Sequence, residues 1–556
     1  MRKVSYKMMM AFFLGLSNLI YGAVTVPDYI KNNFTSSDDA GVLLNKSREY
    51  FEFQKMSRDL QEEKNKNRQG VEPQNLEKLQ ESPEGEVRFK VNSFEFSPSE
   101  ILKEEELNGI VSPYLKKEIT INNLYEIVNK INELYEEKGY VVCRAGLPAQ
   151  TISNGVVKIV LVEGKTGRVL IQGNETTKSS YIRKRIDLDM GTISNLKDLN
   201  KSLIWFNGTN DVQLRIELVA GAVPGTTDYI LTVYEPEKHS GTVFADNAGS
   251  ETSGEYRGGV SYVNKSLFGY RDQLYISGVG SDGTMAGSFM YNFPITKKGT
   301  RLGLQYSLST VEIVDGPLKD VNIEGKSQSY GINITHPFIL NERWRVEGIL
   351  EFTKQNSQTD FMNFEWIDDD ITKYTAGVAI TNFRDNSIIY NRHNFSKGEW
   401  DSLSGNGKDY AKYDTTFIYQ LMCRTDQMFT LRFNGQYAFD DYLPSADQFY
   451  IGGAYSVRGY PESFMGADHG ASLSLEYSFP SWKKGELFVF LDGGILEGEN
   501  AFDNNSIYSA GIGYRVNIAN KAYLSATIGV PFEKDFEAEG MEVDSVRAHL
   551  AISYQF

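Results

Sequence analysis

The chain has 556 residues, which is more than one ordinary domain, and its formal net charge of −16 at pH 7 argues against a general nucleic-acid-binding function. Its two cysteines indicate free thiols rather than a disulfide framework, and its five histidines show no ligand spacing, so neither a metal nor another cofactor is expected. The 33 Tyr, 32 Phe and 50 Gly favour a β-rich protein, and beyond the amino-terminus no apolar run is long enough for a transmembrane helix.

Residues 1–23 have the order of a secretory signal peptide. Basic residues precede an apolar stretch at 8–20, and the small residues Gly22 and Ala23 follow it, as is typical of a cleavage site. We expect cleavage after Ala23, although Tyr21 is an unfavourable residue so close to the cut. A buried helix of a soluble protein is the alternative interpretation.

Residues 24–60 are predicted to hold a helix, and residues 61–86 a flexible linker. We expect the helix over 38–55, capped by Asp38 or by one of the two serines before it. Its apolar residues recur in pairs seven positions apart: Leu43, Leu44, Tyr50 and Phe51. The segment that follows is charged and lacks apolar periodicity, as is typical of a linker.

Residues 87–165 and 166–240 repeat one order of elements, β-α-α-β-β. The clearest helix spans 120–138, where apolar residues fall on one face, with Thr120 as its cap and Gly139 at its end. For the first unit we expect strands at 87–91, 140–145 and 156–162 and a second helix near 99–108. For the second unit we expect a strand at 168–172, helical segments near 181 and at 195–206, and strands at 212–218 and 229–233.

Residues 241–556 lose the helical signal and alternate in period two. We count sixteen alternating segments, which at about 20 residues per strand and turn predicts a sixteen-stranded antiparallel transmembrane barrel. In one segment Leu302, Leu304, Tyr306 and Leu308 oppose Arg301, Gln305, Ser307 and Ser309. A soluble β-sandwich is the alternative, but so many strands with polar inner faces are difficult to close around a dry core.

The last ten residues form an alternating strand that ends on an aromatic residue. Its apolar face carries Ala548, Leu550, Ile552, Tyr554 and Phe556. A strand with one apolar and one polar face suits the boundary between lipid and a watery lumen, although a half-buried strand of a soluble protein alternates in the same way. We expect Tyr554 and Phe556 to act as the assembly signal of an outer-membrane barrel.

Two short motifs fall within the predicted barrel. Val457, Arg458, Gly459 and Tyr460 lie in a long segment between strands. Phe490, Asp492, Gly493 and Gly494 lie in a strand about thirty residues later, where the alternation turns Phe490 and Asp492 towards the lumen. An inward-folding loop would place Arg458 on Asp492 as a charge-assisted pair that locks the loop, and the glycines permit close backbone approach.

With these motifs the chain resembles the two-partner secretion transporters of the outer membrane (the TpsB, haemolysin secretion/activation type). The resemblance covers almost the whole chain after the signal segment. Its other residues are Ala40-Gly41-Val42-Leu43-Leu44, Lys138-Gly139-Tyr140, Leu147-Pro148-Ala149-Gln150, Val162-Glu163-Gly164, Val223-Pro224-Gly225-Thr226-Thr227-Asp228 and Asp246-Asn247-Ala248-Gly249. Cys143 and the charged linker depart mildly from the family pattern.

The resemblance implies two periplasmic POTRA domains (87–165 and 166–240), a sixteen-stranded barrel (241–556), an inward loop locked by Arg458 and Asp492, and an amino-terminal helix that plugs the pore. It also implies export of one large, unfolded β-helical exoprotein (a TpsA-like partner) to the cell surface. The expected partners are this exoprotein, outer-membrane lipid, and the barrel-assembly machinery and periplasmic chaperones during biogenesis, with no nucleic acid.

No phosphate loop, nucleophile elbow or paired catalytic acids stand in a suitable context, so an enzyme is not expected. Since the periplasm supplies no nucleotide, folding of the client outside the cell is the expected driving force. A barrel-assembly factor of the same superfamily is the first alternative, and it would carry more POTRA repeats and no plug helix. A passive porin is the second, and it would carry no POTRA repeats.

Overall fold

The computed structural model describes residues 26–65, 87–403, 405, 407–424, 426–440, 442–482, 485–498, 505–518, 521–534, 536 and 543–556. The predicted signal peptide, with its cleavage site, and residues 66–86 of the predicted linker lie outside these ranges.

The described chain begins with helix α1 (Asp28–Asn33), a 3₁₀ turn (Ser36–Asp38) and the long helix α2 (Ala40–Asn65). Two expectations about α2 are wrong. Its cap is Asp39, whose Oδ1 accepts the backbone N–H groups of Gly41 at 2.7 Å and Val42 at 3.1 Å. The helix also continues through residues 56–65, the last five of which were predicted as linker, because Gln, Glu and Lys propagate a helix without apolar periodicity.

The first α/β unit contains β1 (Arg88–Lys90), β2 (Ser93–Phe96), α3 (Glu104–Val111), β3 (Glu118–Thr120), α4 (Ile121–Glu137), β4 (Cys143–Gly146) and β5 (Val156–Glu163). The main sheet has the order β2-β5-β4, with β2 parallel to β5. The sheet strand is therefore β2 and not the predicted 87–91, which pairs instead with β3 as a separate ribbon. Buried apolar side chains of α4 cover the sheet: Leu124, Ile127, Val128, Ile131 and Tyr135.

The second α/β unit contains β6 (Lys165–Gln172), α5 (Ser179–Arg183), α6 (Leu196–Thr209), β7 (Gln213–Ala220) and β8 (Thr226–Tyr234). Its sheet order is β6-β8-β7, with β6 parallel to the central β8. This is the topology of the first unit, because in both the first strand pairs parallel with the last. The predicted repeat of β-α-α-β-β is therefore present.

Sixteen of the remaining strands close into an antiparallel barrel, which confirms the predicted fold class. Its strands are β9 (His239–Asp246), β10 (Arg257–Asn264), β11 (Gln273–Gly280), β12 (Thr284–Pro294), β13 (Arg301–Glu312), β14 (Ile323–Leu340), β15 (Trp344–Phe361), β16 (Phe364–Phe383), β17 (Ser387–Ser402), β18 (Asp409–Arg424), β19 (Gln427–Ala438), β22 (His469–Pro480), β23 (Glu486–Glu497), β24 (Ser506–Ile518), β25 (Ala522–Pro531) and β26 (Arg547–Gln555). The first strand begins two residues before the predicted boundary at 241.

The barrel wall alternates as a membrane barrel requires. In β13, Leu304, Tyr306 and Leu308 are exposed on the outside, while Ser307 and Ser309 are buried inside. The seam is closed by β26 and β9, where Phe556 and Gly241 exchange backbone hydrogen bonds of 2.9 and 3.0 Å. None of the helices in the described parts of the chain is long and apolar enough to cross a membrane.

The barrel has a near end, beside the α/β units, and a far end opposite. The near end includes the turn between β10 and β11, where Arg271 contacts Asp211 of the second α/β unit. The connection 439–468 between β19 and β22, which we call the inward segment, leaves the far end and folds back into the lumen. It carries a 3₁₀ turn (Ser445–Asp447) and a short hairpin of β20 (Phe449–Ile451) and β21 (Met465–Ala467).

Candidate functional site

Arg458 at the tip of the inward segment lies on Asp492 of strand β23. Its Nε donates to Asp492 Oδ2 at 2.7 Å and its Nη2 to Asp492 Oδ1 at 2.9 Å, which is the bidentate arrangement that a guanidinium favours. The backbone N–H of Arg458 donates to the same carboxylate at 3.1 Å. Asp492 is thus bound by one residue through three hydrogen bonds, in a position with no exposed side-chain surface.

Arg458 belongs to a longer row of alternating charges on the inner wall. Its Nη1 donates to Glu476 on β22 at 2.9 Å, and Glu476 also accepts from Arg515 on β24. Arg515 continues to Glu486 at 2.8 Å. Because every carboxylate in this row faces at least one guanidinium, the row compensates the cost of holding charges away from bulk water.

Aromatic rings line the same row. The Arg458 guanidinium lies 3.6 Å from the centroid of the Phe490 ring, and that of Arg515 lies 4.3 Å from the Phe488 ring. Both rings are buried on the inner face of β23. Stacking of guanidinium on a ring face adds a cation–π attraction to the ion pairs and fixes the plane of the guanidinium.

Gly459 brings the inward segment against β25, two strands from β23 in the wall. Its φ of +100° is a left-handed backbone conformation that favours glycine. The Gly459 backbone packs on Gly529 of β25, where an added Cβ would lie 2.7 Å from the Gly459 nitrogen. The Gly459 N–H points to His549 Nε2 at 3.4 Å. Gly529 and His549 belong to the site but carry no motif that the sequence analysis used.

The other residues of the two motifs fix the inward segment in place. Val457 and Tyr460 are fully buried, and the Tyr460 hydroxyl lies 3.1 Å from the Tyr508 carbonyl and 3.0 Å from that of Glu533. Gly494 leaves room for Ile451, since an added Cβ would lie 3.0 Å from Ile451 Cγ2. The structure therefore brings these residues together on the inner side of the wall, whereas Gly493 lies on the outer face of β23 beside Tyr508.

Helix α2 runs through the lumen beside the inward segment. Near its start the Ala40 carbonyl accepts from Ser309 on β13 at 2.8 Å. In the middle, the Tyr50 and Phe51 rings pack on Phe244 and Tyr275 of the wall. Towards the near end, Leu60 packs with Ile388 and Ile418.

The segment before α2 closes the far end. Val26 and Ile30 pack with Leu318 and Ile323, which follow strand β13, and the Phe34 ring contacts Trp366 at 4.7 Å. Of the predicted helix residues, Leu44, Tyr50 and Phe51 are buried, and Leu43 is half-buried. The chain thus enters the barrel at the far end and leaves it towards the near end, with α2 between.

A cavity of about 1030 Å³ remains in the lumen between α2 and the row of charges. Tyr50 and Phe51 of α2 line one side, and Arg458, Glu476 and Arg515 line the other. The cavity reaches residues at the near end, among them Gln427 and Glu486. A helix and a loop therefore occupy the lumen beside this cavity, and movement of the helix would enlarge the space.

Tyr554 and Phe556 lie on the outer face of the last strand. Their exposed fractions are 45% and 57%, so both rings are available to lipid or to a partner. The Phe556 ring also covers Gly241, where an added Cβ would lie 2.3 Å from the ring. This placement is compatible with an assembly signal, which stays a prediction.

Glu163 of the first α/β unit lies in a network of hydrogen bonds. Burial alone would raise the pKa of Glu163, but hydrogen bonds from the Ser99 hydroxyl, the Glu100 N–H and the Tyr135 hydroxyl hold that pKa below its ordinary value. Glu163 thereby ties the loop before α3 to the end of β5. Burial also raises the pKa of the Cys143 thiol to about 11, which makes it an unreactive core residue.

Two family models match the chain. The model of the haemolysin secretion/activation proteins ShlB, FhaC and HecB matches residues 225–516. The model of the ShlB-type POTRA domain matches residues 89–164. The first covers more than half of the chain, and the second covers the first α/β unit.

Individual relatives agree with these matches. The chain is 25% identical to the haem/hemopexin transporter protein HuxB of Haemophilus influenzae over 67% of its own length and 69% of the relative's. It is 24% identical to the outer membrane transporter CdiB of Dickeya dadantii over 80% of its length and 83% of the relative's. The solved structure of CdiB from Escherichia coli superposes with a TM-score of 0.66 at 18% identity, covering 93% of this chain and 98% of that one.

Proposed function

Because the chain belongs to the haemolysin secretion/activation family of ShlB, FhaC and HecB, it is an outer-membrane transporter of the two-partner secretion type, and we propose that its cargo is one large, unfolded β-helical exoprotein. The exoprotein would cross the lumen from the periplasm to the cell surface. The near end of the barrel, with the POTRA units, faces the periplasm, and the far end faces the outside.

The proposal rests on what occupies the lumen of the barrel. A passive porin needs an open lumen, whereas here α2 and the inward segment occupy it and leave a cavity of about 1030 Å³. Helix α2 takes no part in the strand pairing of the wall, so it can be withdrawn without breaking any strand. The presence of this helix beside two α/β units also favours export over barrel assembly, the first alternative.

We further propose that transport needs no ATP and that the client's folding outside the cell supplies the drive. The POTRA units would capture the client in the periplasm. The edge strands of the two sheets, β2 and β4 in the first unit and β6 and β7 in the second, can each add an extended client strand. The domain limits 87–165 and 166–240 stay a prediction, as do the membrane lipid and the assembly factors as partners.

The proposal is tested by transport of a candidate client, which is any large repeat protein that a neighbouring gene is found to encode. Purified protein is inserted into liposomes with the POTRA units outside, and the unfolded client is added without nucleotide. We expect protease-protected client inside the liposomes, because the client folds after it crosses. The deletion of residues 87–165 should abolish transport while the barrel stays heat-modifiable in electrophoresis. Transport that needs ATP, or that survives this deletion, would contradict the proposal.

A further inference from the structure

The inward segment has a second anchor, far from Arg458, at its 3₁₀ turn (Ser445–Asp447). One oxygen of the Asp447 carboxylate, Oδ1, pairs with Lys373 Nζ of β16 at 2.5 Å and with Lys412 Nζ of β18 at 3.1 Å. The other oxygen, Oδ2, accepts a hydrogen bond from the Tyr410 hydroxyl. The exposed side-chain fractions are 4% for Asp447, 13% for Lys373 and 9% for Lys412. One carboxylate facing two ammonium groups in such burial is a strong restraint on the turn.

The wall also holds the backbone of this turn. Lys412 Nζ donates to the Asp447 carbonyl at 2.8 Å, and Gln436 Nε2 donates to the same carbonyl at 2.9 Å. The side chain and the carbonyl of Asp447 are thus bound to three strands, β16, β18 and β19. The turn therefore has a fixed position relative to the wall, and that position does not depend on the Arg458–Asp492 pair.

The opposite side of the same turn holds helix α2. The Ser445 hydroxyl donates to Asp39 Oδ2 at 2.6 Å, and Asn45 Nδ2 donates to the Ala446 carbonyl at 2.6 Å. Gly41 allows this approach, because an added Cβ would lie 3.2 Å from Ala446 Cβ. Asp39 is also the cap of α2, so the first turn of the helix and its contact with the inward segment share one carboxylate.

We propose that Asp447 is a positioning residue whose ion pairs with Lys373 and Lys412 hold the turn 445–447 as the catch that retains α2 in the lumen. Two groups of contacts meet in three consecutive residues: wall to Asp447, and Ser445 and Ala446 to the helix. If the carboxylate loses its lysines, the turn moves and both helix contacts are lost together. This inference rests on the proposed function, in which α2 leaves the lumen during export.

The test measures helix retention without any client, so that its result is independent of secretion. A single reporter thiol is placed at the buried Ser47 by S47C in a C423S background, because Cys423 is exposed and Cys143 is buried. Asp447→Asn should raise the rate of labelling by a polar maleimide by about tenfold or more, since breaking a buried ion pair commonly shifts an equilibrium by at least that factor. Single-channel conductance in planar bilayers should rise in parallel.

The matched control is Asp409→Asn, which breaks an exposed ion pair between Asp409 and Lys397. The two groups lie 3.4 Å apart, and their side chains are 67% and 61% exposed, respectively. Labelling and conductance should not change in this variant. Lys373→Met should label as fast as Asp447→Asn does. Lys373→Arg keeps the positive charge, so its labelling should stay slow. The double variant Asp447→Asn with Lys373→Met removes one of the two lysines that Asp447→Asn leaves without a carboxylate. It should therefore keep a heat-modifiable barrel and still label fast.

Slow labelling in both Asp447→Asn and the double variant would overturn the proposal. Equal increases in Asp447→Asn and Asp409→Asn would overturn it as well. Fast labelling accompanied by loss of the heat-modifiable barrel in the double variant would show that the cluster supports the wall only.

Discussion

At the scale of single residues, the charges of the lumen are shared rather than paired one to one. Arg458 binds Asp492 through three hydrogen bonds and Glu476 through one, and Glu476 is itself divided between Arg458 and Arg515. Asp492 depends on Arg458 for its compensation, whereas Glu476 keeps Arg515 if Arg458 is lost. The two carboxylates therefore differ in what their removal costs.

The first prediction follows from this asymmetry. Asp492→Ala should impair secretion more than Glu476→Ala, because it removes the bidentate contact and the contact to the Arg458 backbone. Breaking a fully buried pair costs ~3–5 kcal/mol, and less where water enters. The exchange of Arg458→Asp with Asp492→Arg should not restore secretion, since the new carboxylate would lie beside Glu476.

Secreted client in the medium measures these effects, and Arg458→Lys is the matched variant. It keeps the positive charge but loses the bidentate contact of the guanidinium, so secretion should lie between that of the native protein and that of Arg458→Ala. A double-mutant cycle on Arg458→Ala and Asp492→Ala should show strong coupling. Simply additive losses would contradict the role of Arg458 and Asp492 as a lock. Full recovery in the exchanged pair would contradict the expected effect of Glu476 on the new carboxylate.

The second prediction concerns Gly529, which faces the Gly459 backbone. Gly529→Ala should displace the tip of the inward segment, because its Cβ would lie within 2.7–2.9 Å of three Gly459 and Arg458 backbone atoms. Gly278→Ala is the control in strand β11, where the nearest atom would lie 3.9 Å away. We expect reduced secretion and increased conductance for Gly529→Ala alone. Equal effects of the two alanines would show a general loss of barrel stability instead.

Only part of this site could be predicted from the sequence. Arg458 and Asp492 could be predicted because each lies in a short motif and the strand period sets the direction of Asp492. Glu476 lies in neither motif, and nothing in its neighbours signals a partner. Gly529, His549 and Asp447 were missed because their roles arise from contacts across the lumen with residues far away in the chain.

At the scale of elements, the strength of the local pattern decided what could be predicted. Helix α4 was found because one face is apolar and both ends are marked by Thr120 and Gly139. The end of α2 was missed because its last turns carry no apolar period. Strand β2 was misplaced because 87–91 alternates as well as 93–96, and only pairing with β5 distinguishes them.

The third prediction concerns Glu163 in the first POTRA unit. A carboxylate whose pKa is lowered by folding stabilises the folded state when ionised. Its contribution is therefore complete above the ordinary value of 4.5 and is lost as the pH falls through the lower folded-state value. Glu163→Gln should be less stable than the native unit near neutral pH, and the difference should disappear in acid.

Urea unfolding of the soluble fragment 87–238, followed by circular dichroism across this pH range, measures that difference. Glu95→Gln is the matched control, because Glu95 lies on the exposed face of β2 and its ion pair with Lys158, at 3.7 Å, is exposed. Its effect should be small at every pH. A Glu163→Gln difference that persists unchanged in acid would show that Glu163 acts by packing rather than by its charge.

At the scale of the whole molecule, the POTRA units and the barrel are joined by specific contacts. The end of α4 meets the start of α6, where the Asn195 side chain donates to the Lys138 carbonyl at 2.8 Å and the Leu196 N–H donates to the Gly139 carbonyl at 2.8 Å. The second unit then meets the barrel through Arg271. A client held on the POTRA sheets would therefore have a defined position relative to the near end of the lumen.

The Arg271–Asp211 contact is the buried part of that second junction. Arg271 has no exposed side-chain surface, and its guanidinium binds both carboxylate oxygens of Asp211 and also donates to Thr176 Oγ1 at 3.1 Å. Around it, Ser266 Oγ donates to the Thr176 carbonyl at 2.8 Å. The turn between β10 and β11 is thus held by the second POTRA unit at several points.

The last prediction is that Arg271→Ala loosens the second POTRA unit from the barrel and impairs secretion. It leaves Asp211 with a buried, uncompensated charge, which typically costs ~3–5 kcal/mol. The movement is measured by disulfide formation between K178C and Y270C in a C423S background, since the native side chains meet with Lys178 Nζ 4.3 Å from the Tyr270 ring. Arg168→Ala is the control, because its pair with Asp228 lies within the unit and its side chain is 65% exposed. We expect slower disulfide formation and less secreted client for Arg271→Ala only, with a heat-modifiable barrel in both variants. If disulfide formation stays fast while secretion falls, the fixed position of the POTRA unit is not what export requires.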